Sequence, residues 1–385
     1  MRWKNKRFWA ETLQAYIFLL PTLAVLGVFT FFPFVNAFIY SGYDIKTRTV
    51  PGSVLFAITT DVESLIASLR RGRVPETLAR VLEGHGAQTE HLWVRLREAN
   101  RWVIRDEKNM QEYLILHEEG ALVVRSTVTK WDMQPVGLEN FRKVLADPDF
   151  VKALRNTAVY VGISVPITLF LALILATLLK QVTFGRSFFR LVNFSPYVTS
   201  VVAITMVWHW IFDRHAGLLN YVISTLGSFF GAKVAFVDWL GDPSLALPAV
   251  IILSVWRFVG YQAIILLAGM QSIDREYYEA AKVDGGSGLQ VWWHITLPLL
   301  TPQIFFVFII SVIGAFRLFQ EVLILFQGPG PEKSVLTLVY YLYEKAFGLG
   351  QYGLASAASV ILFAIVFLLS LFNLTVVQRR VHYER

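Results

Sequence analysis

The chain has 385 residues, of which 55% are apolar and only 16% are charged, and its mean hydropathy is +0.52. Soluble domains carry about a quarter charged residues, and single cores stop growing at about 250–300 residues, so this composition argues against an ordinary soluble enzyme and favours burial in lipid. Cysteine is absent, which excludes disulfides, thiolate metal sites and cysteine nucleophiles. The formal charge of +7 does not indicate nucleic acid here, because many basic residues flank apolar stretches and therefore report membrane orientation.

Six apolar stretches reach the roughly 20 residues that a helix needs to cross a hydrocarbon core. Helices satisfy their own backbone groups in lipid, so we predict an all-α multi-pass membrane protein with six transmembrane helices. These predicted spans, numbered one to six, are Thr12–Tyr43, Thr157–Leu179, Leu191–Phe212, about Leu245–Met270, about Thr301–Leu325 and about Leu354–Val377.

Basic residues precede span one and follow spans two and six. The positive-inside rule therefore predicts that both termini and the loop after span two are cytoplasmic. The basic start resembles a signal peptide, but the apolar stretch is too long and lacks a small-residue cleavage site, so we expect a retained helix. The basic residues are Arg2, Lys4, Lys6, Arg7, Lys180, Arg186, Arg190, Arg379, Arg380 and Arg385.

The segment between spans one and two, about 110 residues long, is rich in charge and able to fold in water. Thr60 and Glu63 have the spacing of a capping box, and Pro75 and Gly84 bracket a second helical stretch. We predict a small α+β extracytoplasmic insertion with short strands, the last two joined across Glu118-Glu119-Gly120. The strands are Trp102–Ile104, Tyr113–Leu116 and Leu122–Val124.

Span four carries a polar and aromatic stripe. Ser254, Phe258 and Tyr261 follow one another at steps of four and three, which puts them on one helical face, with Gln262 beside them. Hydroxyl and amide groups next to aromatic faces suit a sugar, whereas the structural alternative is ordinary helix packing. The tryptophans near the end of span three and beyond it are typical of a membrane-interface belt: Trp208, Trp210 and Trp239.

The loop after span four has a spaced pattern that predicts a short helix beginning near Asp274. Glycines at 285, 286 and 288 end that helix and supply a sharp turn, and Pro298 breaks the chain before span five. By the orientation above, this helix lies exposed on the cytoplasmic surface. The pattern is Glu279-Ala280-Ala281, three residues, Gly285, nine residues, Ile295, one residue, Leu297-Pro298.

Span five contains two ionisable residues, which at membrane depth indicate function or pairing. Arg317 and Glu321 are four apart and can pair on one helix, and Gln320 can face the same side as Arg317. An arginine at this depth argues against a pocket for neutral sugars alone, because its guanidinium also binds a phosphate or a carboxylate well. The structural alternative is an ion pair near the outer interface.

No nucleotide, metal or cofactor signature is convincing in the remaining sequence. A Gly-x-x-x-x-Gly-Lys-Ser/Thr loop is absent, so any ATP-derived energy must come from another chain. A lone Gly-x-Gly-x-x-Gly match at Gly348, Gly350 and Gly353 precedes a membrane span, and we interpret it as the loop entering span six. The seven histidines have no metal-ligand spacing.

The loop pattern from Glu279 to Pro298 matches the EAA signature, and the chain resembles the integral-membrane permease subunits of ABC importers of the carbohydrate type, such as those of the maltose and glycerol-phosphate transporters. The resemblance implies a type I importer permease fold and covers nearly the whole chain except about residues 46–135. It predicts domains at 1–45, 46–135 and 136–385, with a coupling loop at 271–300. Further matching stretches are 154–157, 208–212, 267–269, 271–273 and 328–331.

The resemblance also implies which residues carry the function. The short surface helix would dock in a cleft of a cytoplasmic ATPase, and matching stretches of spans four and five would line the transport pathway. Docking falls on Glu279, Ala280, Ala281, Asp284, Gly285, Ile295 and Pro298. The pathway role falls on Ser254, Phe258, Tyr261, Gln262, Arg317, Gln320 and Glu321.

By the same resemblance, the chain is a non-hydrolytic permease subunit in a prokaryotic inner membrane, surrounded by lipid. Its implied partners are a second homologous permease, a cytoplasmic ATPase dimer that binds ATP and Mg, an extracytoplasmic solute-binding protein and a sugar substrate. No nucleic acid and no cofactor of its own are expected.

Two other functional classes compete with the importer interpretation. The first is a six-span sensory receptor with an extracytoplasmic ligand-binding domain, although only about eight residues after Val377 remain for an output domain. The second is a secondary carrier, for which the expected inverted repeat is not evident. The inserted domain itself has two open interpretations, as a docking aid for the solute-binding protein or as a stabilising appendage.

Overall fold

The computed structural model describes residues 16, 18–71, 73–83, 92–98, 101–106, 111–118, 121–231, 235–373 and 375. It divides into two units, a helical unit comprising Met1–Asp44 and Pro135–Arg385, and a second unit comprising Ile45–Gln134. The predicted positions that lie outside the described residues are Arg2, Lys4, Lys6, Arg7, Thr12, Gly84, Glu119, Gly120, Val377, Arg379, Arg380 and Arg385.

The elements are numbered in chain order. They are α1 (Phe18–Ser41), β1 (Tyr43–Ile58), α2 (Val62–Arg70), α3 (Glu76–Glu83), β2 (Leu92–Glu98), β3 (Arg101–Asp106), β4 (Gln111–Glu118), β5 (Ala121–Pro135), α4 (Glu139–Ala146), α5 (Pro148–Gln181), α6 (Arg186–Val198), α7 (Val201–Ile211), α8 (Leu218–Phe229), α9 (Pro243–Ser272), α10 (Arg275–Val283), α11 (Gly288–Leu299), α12 (Thr301–Ala315), α13 (Gln320–Phe326), α14 (Leu338–Tyr343) and α15 (Tyr352–Phe372).

Among the described residues, four single helices are long and apolar enough to cross a membrane: α1, α5, α9 and α15. Two further pairs meet the same test only when combined. These are α6 with α7, which bend by 94°, and α11 with α12, which bend by 63°. The described part of the chain is therefore mostly helical, with four to six candidate membrane spans.

Span three, predicted as a single helix, is broken in the structure. Here α6 ends at Val198 and α7 begins at Val201, at a 94° bend. Pro196 lies in the last turn of α6 and lacks the N–H that would continue the hydrogen-bond ladder, and Ser200 adopts a non-helical ψ of 128°. Polar residues cluster just before the break, at Asn193, Ser195, Thr199 and Ser200, but the two helices together are apolar enough to count as one span, so mean hydropathy did not reveal it.

Span five also ends earlier than predicted. Its helix α12 stops at Ala315, and the Arg317 amide donates to the Gly314 carbonyl three residues back, which tightens the chain into a turn. Phe319 then has φ −151° and ψ −56°, outside the helical region, before α13 begins. Residues from Arg317 onward therefore do not continue the helical face of α12.

Helices α5 and α9 form the centre of the helical unit. Small side chains let them approach closely, since Ala172 and Ala176 of α5 and Ala263 of α9 are fully buried in one apolar cluster with Leu300 and Val307. A larger cluster joins the N-terminal half of α9 to α5, α13, α14 and α15. This packing holds seven helices around the cavity described below.

Gly260 permits the closest approach between α9 and α6. A Cβ atom at this position would lie 1.7 Å from the backbone oxygen of Asn193. Gly260→Ala should therefore force the two helices apart and lower the free energy of unfolding by about 1–3 kcal/mol. Thermal unfolding of the purified chain in detergent measures this. The control is Gly162→Ala in α5, where an added Cβ meets no atom within 4 Å, and this variant should keep the wild-type melting temperature. Equal melting temperatures for the two variants would contradict the close contact at Gly260.

The second unit is a five-stranded sheet of order β1-β5-β4-β3-β2, with antiparallel pairing from β2 to β5. Leucines of α2 and α3 pack on one face of the sheet around the fully buried Trp102. The three predicted strands lie within β3, β4 and β5, and Pro75 directly precedes α3. Sequence patterns did not reveal β1 and β2, and Pro51-Gly52 interrupts the apolar pattern of β1.

The predicted capping box at Thr60 and Glu63 is wrong, although the helix exists. The N-cap of α2 is Asp61, which has a positive φ of 57° and makes no side-chain cap hydrogen bond. With the chain turning one residue later than the pattern required, the hydroxyl and carboxylate lose the N-cap and N3 positions that a capping box needs.

Candidate functional site

A cavity of about 850 Å³ lies within the helical unit. Its wall is built from α5, α6, α9, α12, α13, α14 and α15 together with the turn between α12 and α13. All seven residues that the sequence assigned to a substrate pathway line this cavity. They are Ser254, Phe258, Tyr261, Gln262, Arg317, Gln320 and Glu321.

The aromatic part of the wall comes from α6 and α9. The rings of Tyr197 and Tyr261 are stacked, with centroids 4.0 Å apart and planes inclined by 10°. Phe258 lies 6.0 Å from the ring of Tyr197. The stripe predicted on α9 faces this cavity, and the close approach of α6 at Gly260 adds a second ring to it. The combined surface can stack against the C–H face of a flat or ring-shaped solute.

The polar part of the wall holds its groups by short hydrogen bonds. Gln262 Nε2 donates to Ser311 Oγ at 2.9 Å, and Ser311 Oγ donates to the Val307 carbonyl at 2.6 Å. Gln262 Oε1 is buried yet has no hydrogen-bond partner among the described residues. Since buried polar groups are normally paired, this atom is available to a solute or to water in the cavity.

The predicted pairing of Arg317 with Glu321 is wrong. Because α12 ends before Arg317, the two residues do not share a helix, and Glu321 instead accepts a hydrogen bond from Arg257 Nη1 of α9 at 2.6 Å. The side chains of Arg257 and Glu321 are only 15% and 9% exposed, and the Arg257 guanidinium also lies 5.1 Å from the ring of Phe258. This ion pair ties α9 to α13.

Sequence reasoning missed several cavity residues on α5, α6 and α12. Tyr160, Ser164 and Thr168 recur at steps of four along α5, a spacing that would have identified a polar stripe in span two had it been sought. Ser311 has no comparable sequence signal, because it is a single polar residue in an apolar part of α12, and Tyr197 shares α6 with polar residues such as Asn193 and Ser195 that do not line the cavity.

The three tryptophans predicted as a membrane-interface belt have different surroundings. Trp208 packs against Trp256 with ring centroids 5.5 Å apart, and Trp239 packs on Phe212 at 6.0 Å, so both are half-buried against the helical core. Trp210 alone of the three is largely exposed, at 53%. The interface belt stays a prediction.

The first family-like stretch, 154–157, contacts the chain that follows another, 328–331. Asn156 Nδ2 donates to the backbone oxygens of Lys333 and Leu336 at 3.1 and 3.0 Å, and Thr157 Oγ1 accepts from the Leu338 amide at 3.0 Å. The segment after Pro331 is therefore fastened to α5 through its backbone. This contact fixes the start of α14, a helix that contributes Val339 and Leu342 to the cavity wall.

Charged groups reinforce the same junction. Asp147 accepts hydrogen bonds from Lys345 Nζ and the Tyr341 hydroxyl, both at 2.9 Å, and Lys333 Nζ lies 2.6 Å from Asp149 Oδ2. Burial alone would raise the pKa of the Asp147 carboxyl, but bonds from Lys345, the Asp149 amide and Tyr341 outweigh it and hold the pKa below its usual range. The carboxylate is therefore ionised at neutral pH and keeps its partners.

Gly353 accounts for the end of the Gly-x-Gly-x-x-Gly match. A Cβ atom there would lie 2.0 Å from the Tyr43 backbone oxygen, so this glycine lets α15 approach the chain two residues after α1 ends. The segment just before it, Glu344–Gly348, is helical rather than a strand. The interpretation as a loop entering the last span is confirmed.

The loop after α9 has the predicted local structure. Helix α10 begins after Asp274 and ends with a Schellman motif, in which the Gly286 amide bonds to the Ala281 carbonyl at 2.9 Å and the Gly285 amide to the Lys282 carbonyl at 3.1 Å. Gly285 has φ +76°, the left-handed conformation that such a motif requires. No residue of α10 is buried in the described structure.

One side chain of α10 anchors it to the membrane helices. The Tyr278 hydroxyl lies 3.2 Å from Thr296 Oγ1 of α11 and accepts a hydrogen bond from Lys180 Nζ of α5 at 3.0 Å. Glu279 and Ala280, by contrast, are exposed. Helix α10 thus has one face attached to α5 and α11 and the other available to a partner.

The remaining predicted docking residues lie in the same loop and in the helix that follows it. Ala281 is half-buried beneath Gly286, and Asp284 is exposed at the C-cap. Ile295 lies in α11, and Pro298 lies just before the 63° bend into α12. The described residues contain no cluster of histidine, aspartate and glutamate that could hold a metal ion.

Comparisons with known proteins agree with this architecture. Residues 152–383 match the family model described as binding-protein-dependent transport system inner membrane component. The chain is 33% identical to the sn-glycerol-3-phosphate transport system permease protein UgpA of Agrobacterium fabrum, over 64% of this chain and 82% of that one. It is 34% identical to the diacetylchitobiose uptake system permease protein NgcF of Streptomyces coelicolor, over 61% and 68% of the two chains.

The fold has a counterpart among solved structures. A chain in the crystal structure of a bacterial ABC transporter involved in the import of the acidic polysaccharide alginate superposes with a TM-score of 0.58 at 23% identity, covering 63% of this chain and 84% of that one. None of these matches supports the sensory-receptor alternative. With more than half of its length in the family model, the chain belongs to the inner membrane components of binding-protein-dependent transport systems, as a permease subunit of an importer.

Proposed function

We propose that the cavity is the solute site of an importer for a sugar or oligosaccharide, and that this chain forms half of the pathway. The observation that carries the proposal is the wall itself, where the stacked Tyr197–Tyr261 pair lines the same cavity as the unpaired oxygen of Gln262. Sugars require both a ring surface and hydrogen-bonding groups. The relative named for diacetylchitobiose uptake supports the same class of cargo.

The proposed topology has six spans, with α6–α7 and α11–α12 each counted as one. Both termini lie in the cytoplasm of a prokaryotic cell with the protein in its inner membrane, and the inserted domain at 46–135, an α+β extracytoplasmic domain, lies outside. The basic residues Lys180, Arg186 and Arg190 at the α5–α6 connection support a cytoplasmic position for that end. The domain at 1–45 contributes the first span, and 136–385 forms the permease core.

Energy reaches the cavity through the coupling loop at 271–300. We assign docking on a separate cytoplasmic ATPase dimer, which binds ATP and Mg, to the exposed side of this loop. A second homologous permease completes the pathway, and an extracytoplasmic solute-binding protein delivers the cargo; this chain itself hydrolyses nothing. The docking residues are Glu279, Ala280, Ala281, Asp284, Gly285, Ile295 and Pro298.

The mechanical connection follows from α5. This helix carries Lys180, which holds Tyr278 of the coupling loop, and also Thr168 in the cavity wall. Twelve residues of helix separate these two positions, about 18 Å of continuous rod. When the ATPase dimer closes and moves α10, the same displacement reaches the cavity, which then opens alternately to each side.

Truncation of cavity residues is expected to impair uptake more than assembly. Tyr261→Ala removes one ring of the stacked pair and Gln320→Ala removes a wall amide, so each should lower solute uptake into proteoliposomes by about tenfold, the loss expected for about 1.4 kcal/mol of contact energy. Radiolabelled sugars loaded on the solute-binding protein provide the measurement.

The control for this experiment is Tyr221→Ala, an exposed tyrosine of α8 that does not line the cavity. It should leave uptake unchanged. If the cavity variants carry every sugar of the panel at the wild-type rate while assembling normally, the cavity is not the solute site.

A further inference from the structure

The charges around the cavity do not cancel. Its lining contains two charged side chains, Arg317 and Glu321. Glu321 is already bound by Arg257 at 2.6 Å, in a pair whose side chains are 15% and 9% exposed. Two cations and one anion thus leave one positive charge at the wall, and the cation without a counter-ion is Arg317.

Arg317 is exposed, and its side chain forms no ion pair or hydrogen bond with any described residue. It follows the apolar helix α12 in the turn before α13. A cation beside an apolar span is costly when no protein group pairs with it, so the presence of Arg317 here indicates a functional binding partner. A guanidinium presents a planar fork of donors that matches carboxylate and phosphate oxygens, and its charge cannot be lost by deprotonation.

Arg317 is also correctly placed relative to the rest of the wall. Gln320, three residues later, lines the same cavity, and the stacked tyrosines and Gln262 complete it from α6 and α9. The cavity volume of about 850 Å³ falls within the roughly 300–1,000 Å³ typical of small-molecule sites. A ring held on the tyrosines and an acidic substituent directed at the α12–α13 turn would use both parts of the wall.

We propose that the cavity selects sugars that carry an acidic group, a carboxylate or a phosphate, and that Arg317 is the side chain that binds this group. The proposal rests on the proposed function, because it takes the cavity as the solute site. The Arg257–Glu321 pair then has a second role, since it keeps Glu321 from neutralising Arg317 and repelling an anion. Charge-assisted hydrogen bonds of this kind contribute enough for about tenfold or greater discrimination.

The test measures binding to the complete importer in lipid nanodiscs without its solute-binding protein. Radiolabelled glucose, glucuronate and glucose 6-phosphate are compared by equilibrium dialysis at about 50 and about 500 mM salt, between which ionic screening increases strongly. At least one acidic probe should bind about tenfold more tightly than glucose at low salt, with a smaller preference at high salt. The two acidic probes distinguish a carboxylate site from a phosphate site.

Three variants locate the preference. Arg317→Gln should abolish the difference in affinity between the acidic probes and glucose, whereas Arg317→Lys should retain part of it, because charge remains without the planar fork. Arg142→Gln, an exposed arginine of α4 outside the cavity wall, is the matched control and should behave as the wild type.

The outcomes separate this inference from the proposed function. If neither acidic probe binds more tightly than glucose, or if the preference survives Arg317→Gln, the anion site is refuted. Should Tyr261→Ala still lower uptake in that case, the cavity remains the solute site for neutral cargo. If instead Arg317→Gln abolishes the preference while Tyr261→Ala affects neither binding nor uptake, the anion site stands but the pathway assignment fails.

Discussion

Replacement of Gly285 by proline is expected to reduce ATP-driven uptake to the level of vesicles without ATP, while the chain still inserts in the membrane. The Gly285 backbone has φ +76°, whereas the φ of proline is held near −65°. The Gly285 amide also donates a hydrogen bond to the Lys282 carbonyl at 3.1 Å, and proline has no N–H to make that bond. The Schellman motif that ends α10 would be lost. The proposed docking surface then loses its shape, although no membrane helix is touched.

A charge reversal on the same helix should have the same effect by a different route. Glu279 is exposed, so Glu279→Lys leaves the fold intact but presents the wrong charge to a basic partner. Co-purification of the ATPase and uptake by reconstituted vesicles are the two measurements. Both should fall together, whereas binding of a sugar to the cavity should not.

Matched variants make these results specific. Gly288→Ala changes a nearby glycine that has no positive φ and where an added Cβ would meet no atom within 4 Å, and Glu139→Lys reverses an exposed charge on α4. Both should support wild-type uptake. If Gly285→Pro or Glu279→Lys transports and retains the ATPase as well as these controls do, the coupling assignment is incorrect.

The features that were predicted most accurately from the sequence are those that depend on a single continuous helix. The stripe of Ser254, Phe258 and Tyr261 lines the cavity as expected, because α9 is helical from Pro243 to Ser272 and the spacing keeps its meaning throughout. The end of α10 was predictable for a similar reason, since Gly285 serves a local backbone requirement that nearby residues alone determine.

The failures occurred where a helix was assumed to continue. Arg317 and Glu321 have ideal spacing for a pair, but the chain leaves the helix between them and the true partner, Arg257, is 64 positions from Glu321 in the sequence. The 94° bend before α7 was not predicted, because the two helices together are apolar enough to count as one span. Tyr197 lines the cavity where α6 packs closely on α9 at Gly260, a tertiary contact that periodicity does not encode.

Removal of Glu321 is expected to be among the most destabilising single changes in the helical unit. Glu321→Ala leaves the Arg257 guanidinium buried without its counter-ion, and breaking a buried pair in this way costs about 3–5 kcal/mol. The midpoint of thermal unfolding should fall by on the order of 10 °C. Circular dichroism of the purified chain in detergent, which reports the helices, measures the loss.

The double variant Arg257→Met with Glu321→Leu distinguishes a buried charge from lost packing. Because it removes both charges and fills their volume with apolar atoms, it should recover most of the stability that Glu321→Ala loses. Glu139→Ala is the exposed control, since its pair with Lys143 is 4.0 Å long with side chains about half exposed, and it should cost less than about 1 kcal/mol. A double variant as unstable as the single one would mean that shape, and not charge, joins α9 to α13 and keeps Glu321 away from Arg317.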